Sequence, residues 1–353
     1  MPEIRPGAVR RREGRMAPYL DGLFESEPAV REPFERGFAE MNGCNWDEAI
    51  VHFQTAMARV QGAGRVALLN LIGVCRHTQG RMADALRSLA ESARLAELLG
   101  DSQGKSRALG NIGIICCDNG MLGRALDYLE GALEIARDHG DQWAASIHLG
   151  HIGGIHHDRG DLDRALECYN EALAMAREIG DQWGVATHLC NVGSIYHDRG
   201  EFRKALQHHQ EALAIARETG DRRAIANNLG NIGSICRDRG RLDEALKYVN
   251  EALAIAREVG HQLGVAADLG NIGLILADKK DDEQAAPKLA EALTILLATG
   301  AADGPRQALT GLAGCEDRLG RRRLEELLKQ AGRDEAVITD VLARIDHVRQ
   351  RRP

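Results

Sequence analysis

The chain has 353 residues, 44% of them hydrophobic and only 4% aromatic, and its formal net charge is −7. Residues 1–20 carry five arginines and two glutamates, a net charge of +3, and residues 318–353 carry ten basic and six acidic residues, a net charge of +4. The residues between these two ends therefore have a net charge of −14. Because a nucleic-acid groove needs clustered cations, this charge distribution argues against nucleic acid as a partner.

The first element in chain order, residues 1–28, is a basic N-terminal segment with consecutive arginines at positions 10–12. We expect a solvated, mobile tail rather than a binding arm. The segment lacks the apolar core of a signal peptide, and no apolar run in the chain reaches the length of a membrane span. A cytoplasmic protein without membrane insertion is expected, and the eight cysteines agree, since most occupy apolar helical positions.

A long helical stretch follows, because no proline lies between Phe34 and Ala286. Glycine punctuates this stretch every forty residues, at 100, 140, 180, 220, 260 and 300, and again at 80, 120, 160, 200, 240 and 320. Each is a candidate for the left-handed residue that ends a helix. The aspartates at 101, 141, 181 and 221 can then cap the next helix. Each unit is predicted to hold two helices of about sixteen residues, near 24 Å long.

Each helix of a unit has one apolar stripe. In the unit 183–220 the stripes consist of Leu189, Val192, Gly193 and Tyr196 in the first helix, and of Ala205, Leu206, Ala212, Leu213 and Ala216 in the second. Neither helix can bury its stripe alone, so neighbouring units must stack. The predicted fold is an all-α superhelical solenoid of stacked antiparallel helix pairs.

Three short motifs recur in register: Leu-Gly-Asn-Ile-Gly or a variant in the first helix, Gly-x-[Leu/Phe]-x-x-Ala at the joint, and Glu-Ala-Leu in the second helix. On these motifs the chain resembles tetratricopeptide-repeat (TPR) proteins. The forty-residue length resembles the longer subfamily of Leu-Gly-Asn repeat adaptors and kinesin light chains. The resemblance implies about eight repeats in a solenoid over 29–331, near 30–61, 64–98, 103–138, 143–179, 183–219, 223–259, 263–298 and 303–331. A capping helix and a basic tail are expected over 332–353.

Two sets of glycines lie inside the first helices. Those on the apolar stripe face small partners on the second helix, so we predict close packing of Gly113, Gly153, Gly193, Gly233 and Gly273 against the alanines at 125, 165, 205, 245 and 285. A second set, at 110, 150, 230 and 270, points about 100° away. These glycines either permit contact with the neighbouring repeat or leave space for a ligand.

A polar ladder runs along the first helices, away from the apolar stripe. The resemblance implies that this face is concave and that its asparagines hydrogen-bond the backbone of an extended peptide; an amide has the donor and acceptor that a peptide unit requires. The predicted peptide-binding residues are Asn111, His151, Asn191, Asn231, Asn271, Ser194, Ser234, His157, His197, Arg237, Asp158, Asp198 and Asp238.

Other interpretations of the ladder remain open. The asparagines can instead bond between adjacent repeats as a structural ladder, and the Asp and His/Arg neighbours favour a solvated or inter-repeat charge network over a specific clamp. At the level of function we predict a non-catalytic scaffold or adaptor for a protein or peptide partner. Alternatives are a signalling sensor whose superhelix changes on ligand binding, and a self-associating structural solenoid.

Three motifs that suggest other chemistry are discounted. The histidine-rich stretch 148–157 lacks a repeated metal-ligand geometry, since His148 and His151 point about 60° apart on a helix. The string "GDSQGKS" at 100–106 is one residue short of a phosphate loop and follows no strand. No single set of nucleophile, base and orienting group stands outside the repeat. We therefore expect no metal, no cofactor and no catalytic residue.

Overall fold

The computed structural model describes residues 28–299 and 304–350, and this part of the chain is all-α, with seventeen helices and no strand. Almost all of the basic N-terminal segment, Gly300 and the last three residues of the basic tail lie outside the described residues. The contacts divide the chain into two compact units, residues 2–188 and residues 189–353, which we describe separately.

In the unit of residues 2–188 the helices are α1 Pro28–Asn42, α2 Trp46–Met57, α3 Ala63–Thr78, α4 Met82–Leu99, α5 Ser102–Asp118, α6 Leu122–Asp138, α7 Gln142–Asp158 and α8 Leu162–Glu178. Consecutive helices pack on each other, and α5 also contacts the first helices of its two neighbours, α3 and α7. Three residues join α5 to α6 and α6 to α7, so successive helices are antiparallel. This arrangement is the predicted stack of helical hairpins.

Helix α9, Gln182–Asp198, contains the division between the units. The helices that follow are α10 Phe202–Glu218, α11 Arg222–Asp238, α12 Leu242–Glu258, α13 Gln262–Asp278, α14 Asp282–Thr299, α15 Gly304–Leu319, α16 Arg321–Gln330 and α17 Glu335–Gln350. From α10 to α15 each helix packs on the next one, and α17 packs on α15 and α16. None of the helices in the described ranges is long and apolar enough to cross a bilayer.

The helices end at left-handed glycines, as the sequence predicts. Gly120 has a φ of +70°, its N–H donates to the carbonyl of Cys117 at 2.8 Å, and the N–H of Met121 donates to the carbonyl of Cys116 at 2.9 Å. These two bonds close the last turn of α5. All the predicted glycines that the structure describes have positive φ, and Lys280 takes this conformation where the repeat lacks its glycine.

The predicted aspartate caps are present where the structure gives their contacts. The side chains of Asp101 and Asp141 accept from the N–H groups of Gly104 and Ala144 at 2.9 and 3.0 Å, and Asp221 accepts from Ala224 at 3.1 Å. Each bond satisfies one of the free N–H groups in the first turn of a helix. The equivalent cap at Asp181 stays a prediction.

The stripe glycines lie against the second helix of their own repeat, as predicted. A Cβ atom at Gly233 would lie 2.3 Å from Cγ2 of Val249 and 3.2 Å from the carbonyl oxygen of Ala245. The close partner is thus mainly the larger residue one turn after the predicted alanine, and only secondarily the alanine backbone. The reason is that helical side chains lean toward the N-terminus and cover the preceding turn.

Candidate functional site

The predicted ladder residues occupy one position in five first helices. Asn111 on α5 and His151 on α7 belong to the unit of residues 2–188, and the unit that follows holds Asn191 on α9, Asn231 on α11 and Asn271 on α13. All five side chains are half-buried. Their helical hydrogen bonds fix the backbone, so the four amides and the imidazole are displayed from rigid elements.

The asparagines make few hydrogen bonds of their own. The Nδ2 atom of Asn111 is 3.4 Å from Oδ1 of Asn70, and Nδ2 of Asn231 is 3.6 Å from Sγ of Cys190. In the described residues of 189–350, the side chains of Asn191 and Asn271 make no hydrogen bond. The bonds of Asn111 and Asn231 to the preceding repeat are long, so the amides of these asparagines keep donors and acceptors for another molecule.

The two serines of the ladder use their hydroxyl protons internally. Ser194 donates to the carbonyl of Cys190 at 3.1 Å, and Ser234 donates to the carbonyl of Gly230 at 3.2 Å, each one turn back on its own helix. Both side chains are half-buried. The hydroxyl oxygens keep their lone pairs, so the serines can offer a ligand an acceptor but not a donor in this rotamer.

The charged part of the ladder joins adjacent repeats. Nε2 of His197 lies 2.8 Å from Oδ2 of Asp238, and the next repeat has the same arrangement, with Nε of Arg237 donating to Oδ2 of Asp278 at 2.7 Å. In the other unit, His77 lies 3.1 Å from Asp118. These contacts form the inter-repeat charge network that the sequence predicts. His157 is half-buried, and Asp158 and Asp198 are exposed.

The second set of glycines makes room for the neighbouring repeat. A Cβ atom would lie 2.3 Å from Cε1 of His148 at Gly110, and 2.9 Å from Oδ1 of Asp268 at Gly230. Gly150 is similarly close to His188, at 2.9 Å from Cε1. These three glycines therefore serve contact between repeats, which decides the question that the sequence leaves open.

The two histidines that contact these glycines, His148 and His188, also make buried hydrogen bonds. Nε2 of His148 is 3.0 Å from the hydroxyl of Ser106, which donates to the carbonyl of Ala132 at 2.8 Å. One repeat later, His188 and Ser146 repeat this arrangement at 2.9 Å. His148 and His188 thus have a structural function in stacking. In the described part of the chain, no three His, Cys, Asp or Glu side chains are placed to hold a metal ion.

Two buried ionisable groups in the unit of residues 189–353 have displaced pKa values. Burial raises the pKa of Asp268 to about 7, because a charged carboxylate loses its hydration there. Burial lowers the pKa of His209 to about 4, while Oδ1 of Asn228 lies 3.1 Å from its Nδ1. In the other unit, burial raises the pKa of Cys117 to about 12, so this cysteine is a thiol at neutral pH.

The fold and the site define a class: an all-α helical-repeat protein whose first helices carry a polar ladder at their surface. The family model of the tetratricopeptide repeat matches residues 64–138, 143–218 and 223–298. These matches cover more than half of the chain, so the protein belongs to the tetratricopeptide-repeat family. No curated protein matches the sequence.

Solved structures of similar fold include BtubC (BKLC) from P. vanneervenii, which is 21% identical, with a TM-score of 0.52 over 64% of this chain and 92% of that one. The apo form of the quorum sensor NprR from B. thuringiensis is 16% identical, with a TM-score of 0.64 over 95% and 93%. A Rap protein complexed with competence and sporulation factor is 16% identical, with a TM-score of 0.62 over 98% of each chain. At these identities the likeness concerns the fold.

Proposed function

We propose that the protein is a non-catalytic interaction scaffold or adaptor that binds an extended peptide or a partner helix along the first-helix face, in the concave groove expected of this family. The observation that carries the proposal is the pair Asn191 and Asn271. Both amides are half-buried on rigid helices, and neither makes a side-chain hydrogen bond within the described residues of 189–350. Such amides suit the donor and acceptor of a peptide unit.

His197 and Arg237, which lie beside the asparagines, would contribute specificity. His197 and Arg237 are already held by Asp238 and Asp278, so their orientation is fixed before a ligand arrives. A pre-ordered side chain loses less conformational freedom on binding than a mobile one. We expect ligand affinity to come from several repeats, with the asparagines binding the ligand backbone while His197 and Arg237 select its side chains.

Selection from a random peptide library displayed on phage provides the ligand for a test. The affinity of the selected peptide is then measured by fluorescence anisotropy for the wild type and for the Asn191/Asn231/Asn271→Ala variant. A loss of about 10-fold to 1,000-fold is expected, since three lost hydrogen bonds at about 0.5–1.5 kcal/mol each contribute about 1.5–4.5 kcal/mol together. The matched control is Asn170/Asn250→Ala, because both side chains are exposed on second helices.

Backbone recognition gives the test a second readout. Peptides with single N-methyl groups lose one backbone donor while keeping every side chain. Affinity should fall at the positions that face an asparagine and stay unchanged at the positions between them. Equal affinity of wild type and triple variant, with equal helicity by circular dichroism, would contradict the proposal.

A second candidate is a sensor or regulator in which ligand binding changes the superhelix and controls a partner enzyme or transcription factor. Its support is the likeness in fold to the quorum sensor NprR and to the Rap protein solved with competence and sporulation factor. Small-angle scattering with and without the selected peptide separates the two functions. A change in the radius of gyration favours the sensor, and unchanged scattering at saturation favours the adaptor.

A further inference from the structure

The unit of residues 189–353 has an open depression where α9 turns into α10. Its volume is 640 Å³, and its lining consists of Gly200, Glu201, Phe202, Arg203, Lys204 and Arg239. None of these residues belongs to the asparagine ladder. Three of the six are cations, contributed by α10 and by the C-terminal end of α11, and only one is an acid.

The next repeat shows which charge is missing there. Asp243 and Lys279 stand forty residues after Arg203 and Arg239, and they form an ion pair. At the depression, a guanidinium replaces the carboxylate, so two cations occupy the positions of a cation and an anion. An arginine pair of this kind is unfavourable alone and favourable around a bound carboxylate.

The acid in the lining of the depression already has a partner. Glu201 pairs with Lys204 at 2.6 Å. In the part of the chain that the structure describes, neither Arg203 nor Arg239 forms an ion pair. Both side chains are exposed. Two guanidiniums therefore line one depression with their hydrogen-bond donors available.

An aromatic wall distinguishes the depression from the same position in other repeats. Phe202 stands where the sequence has leucine at 122, 162 and 242, and its ring lies 5.8 Å from that of His197. Lys204 lies 4.8 Å from the ring centre of Tyr196. A half-buried ring beside two arginines provides an apolar contact next to an anion site, as recognition surfaces often do.

We propose that this depression is a docking surface for an acidic segment of a partner protein. One carboxylate of the segment binds between Arg203 and Arg239, and the adjacent carbon atoms rest on Phe202. The charges of the two arginines select an acidic partner and speed its association. This surface is separate from the asparagine ladder, so the protein can hold a second partner, or a second part of one partner.

The test uses a fluorescent peptide of four acidic residues around one leucine, with both ends blocked, and the full-length protein. The decisive variant is Arg203→Asp, which recreates the charges of Asp243 and Lys279 and should fold as well as the wild type. Arg239→Gln is the second variant. Lys247→Asp is the matched control, because it makes the same charge change at an exposed α12 side chain that forms no ion pair in the described residues.

The affinity of the acidic peptide for the wild type is expected to fall with added salt. The Arg203→Asp variant should bind the peptide at least about tenfold more weakly than the wild type, while Lys247→Asp should change the affinity by less than about twofold. The Asn191/Asn231/Asn271→Ala variant should bind the acidic peptide as the wild type does, which separates this surface from the groove. Equal binding of the amide version of the peptide, equal binding by Arg203→Asp, or no binding to wild type would overturn the proposal.

Discussion

The imidazole of His148 packs directly on Gly110, so that a Cβ atom at this glycine would lie 2.3 Å from Cε1 of the ring. The ring cannot simply move aside, because it is buried and its Nε2 is 3.0 Å from the hydroxyl of Ser106. The glycine of the Leu-Gly-Asn motif thus permits a polar side chain of the next repeat to enter the stack. The loss of helix propensity, about 1 kcal/mol, is offset by this contact between repeats.

Gly110→Ala is therefore expected to destabilise the protein, by about 1–3 kcal/mol, because the new methyl group displaces His148 from Ser106. The same substitution at Gly270 is the matched control. There the nearest group to the new Cβ is Cβ of Ala292 at 3.9 Å, an ordinary contact. Gly270→Ala should stabilise by up to about 1 kcal/mol. Urea denaturation measures both, and equal effects would contradict the explanation.

Gly233→Leu should also destabilise, by about 1–3 kcal/mol, for a different reason. A side chain there meets Val249 and the backbone of Ala245 within the same repeat. Gly131→Ala provides the contrast, since nothing lies within 4 Å of its new Cβ. The midpoint of thermal unfolding should fall in Gly233→Leu and rise in Gly131→Ala. An unchanged midpoint in Gly233→Leu would show that the two helices can accommodate the larger side chain.

Asp268→Asn should make the protein more stable at high pH. The pKa of Asp268 is about 7 in the folded protein, against an ordinary value of 3.8 in the unfolded chain. Between pH 3.8 and pH 7 the folded protein therefore keeps a proton on this carboxyl that the unfolded chain has lost. The wild-type carboxyl therefore costs stability increasingly from pH 4 to 7, and fully above pH 7, by at most about 4 kcal/mol.

The measurement is the difference in unfolding free energy between wild type and Asp268→Asn at pH 4 and pH 8. The variant should gain at pH 8, and the gain should vanish toward pH 4. Asp138→Asn serves as the control, because Asp138 is exposed on α6. A gain that is equal at both pH values would mean that the carboxyl does not titrate with folding.

His209 should have the opposite effect, at acid pH. Its pKa is about 4 in the folded protein, against an ordinary value of 6.5, so the unfolded chain binds a proton first as the pH falls. The free energy of unfolding should therefore fall by roughly 3 kcal/mol as the pH is lowered from 6.5 to 4. His209→Leu, the residue found at 129 and 289, should remove this loss. A variant with the wild-type acid dependence would refute the assignment.

The parts of the fold that depend on local chemistry were predictable from the sequence. A left-handed helix end needs glycine or a substitute such as Lys280, so glycines spaced by forty residues give the helix ends directly. The paired apolar stripes likewise predict the hairpins. The helix caps at Asp101 and Asp141 were predictable because a cap involves residues only three positions apart.

The contacts between repeats were not predictable in the same way. His148 lies on Gly110 only because of the register in which α5 and α7 stack, which no local pattern specifies. The close partner of Gly113 is Leu129 rather than Ala125, because side chains lean back along the helix. The depression at Arg203 had a usable signal, since Phe-Arg-Lys at 202–204 replaces the Leu-Asp-Arg found at 162–164.

Binding of a peptide backbone to the asparagine ladder is observed by NMR on protein with 15N-labelled asparagine. The side-chain amide signals of Asn191, Asn231 and Asn271 are followed while the library-selected peptide is added. If the ladder binds the peptide, these signals shift with one common affinity, while those of Asn170 and Asn250 do not move. Shifts confined to Asn170 and Asn250, or saturation of binding with the ladder signals unchanged, would contradict it.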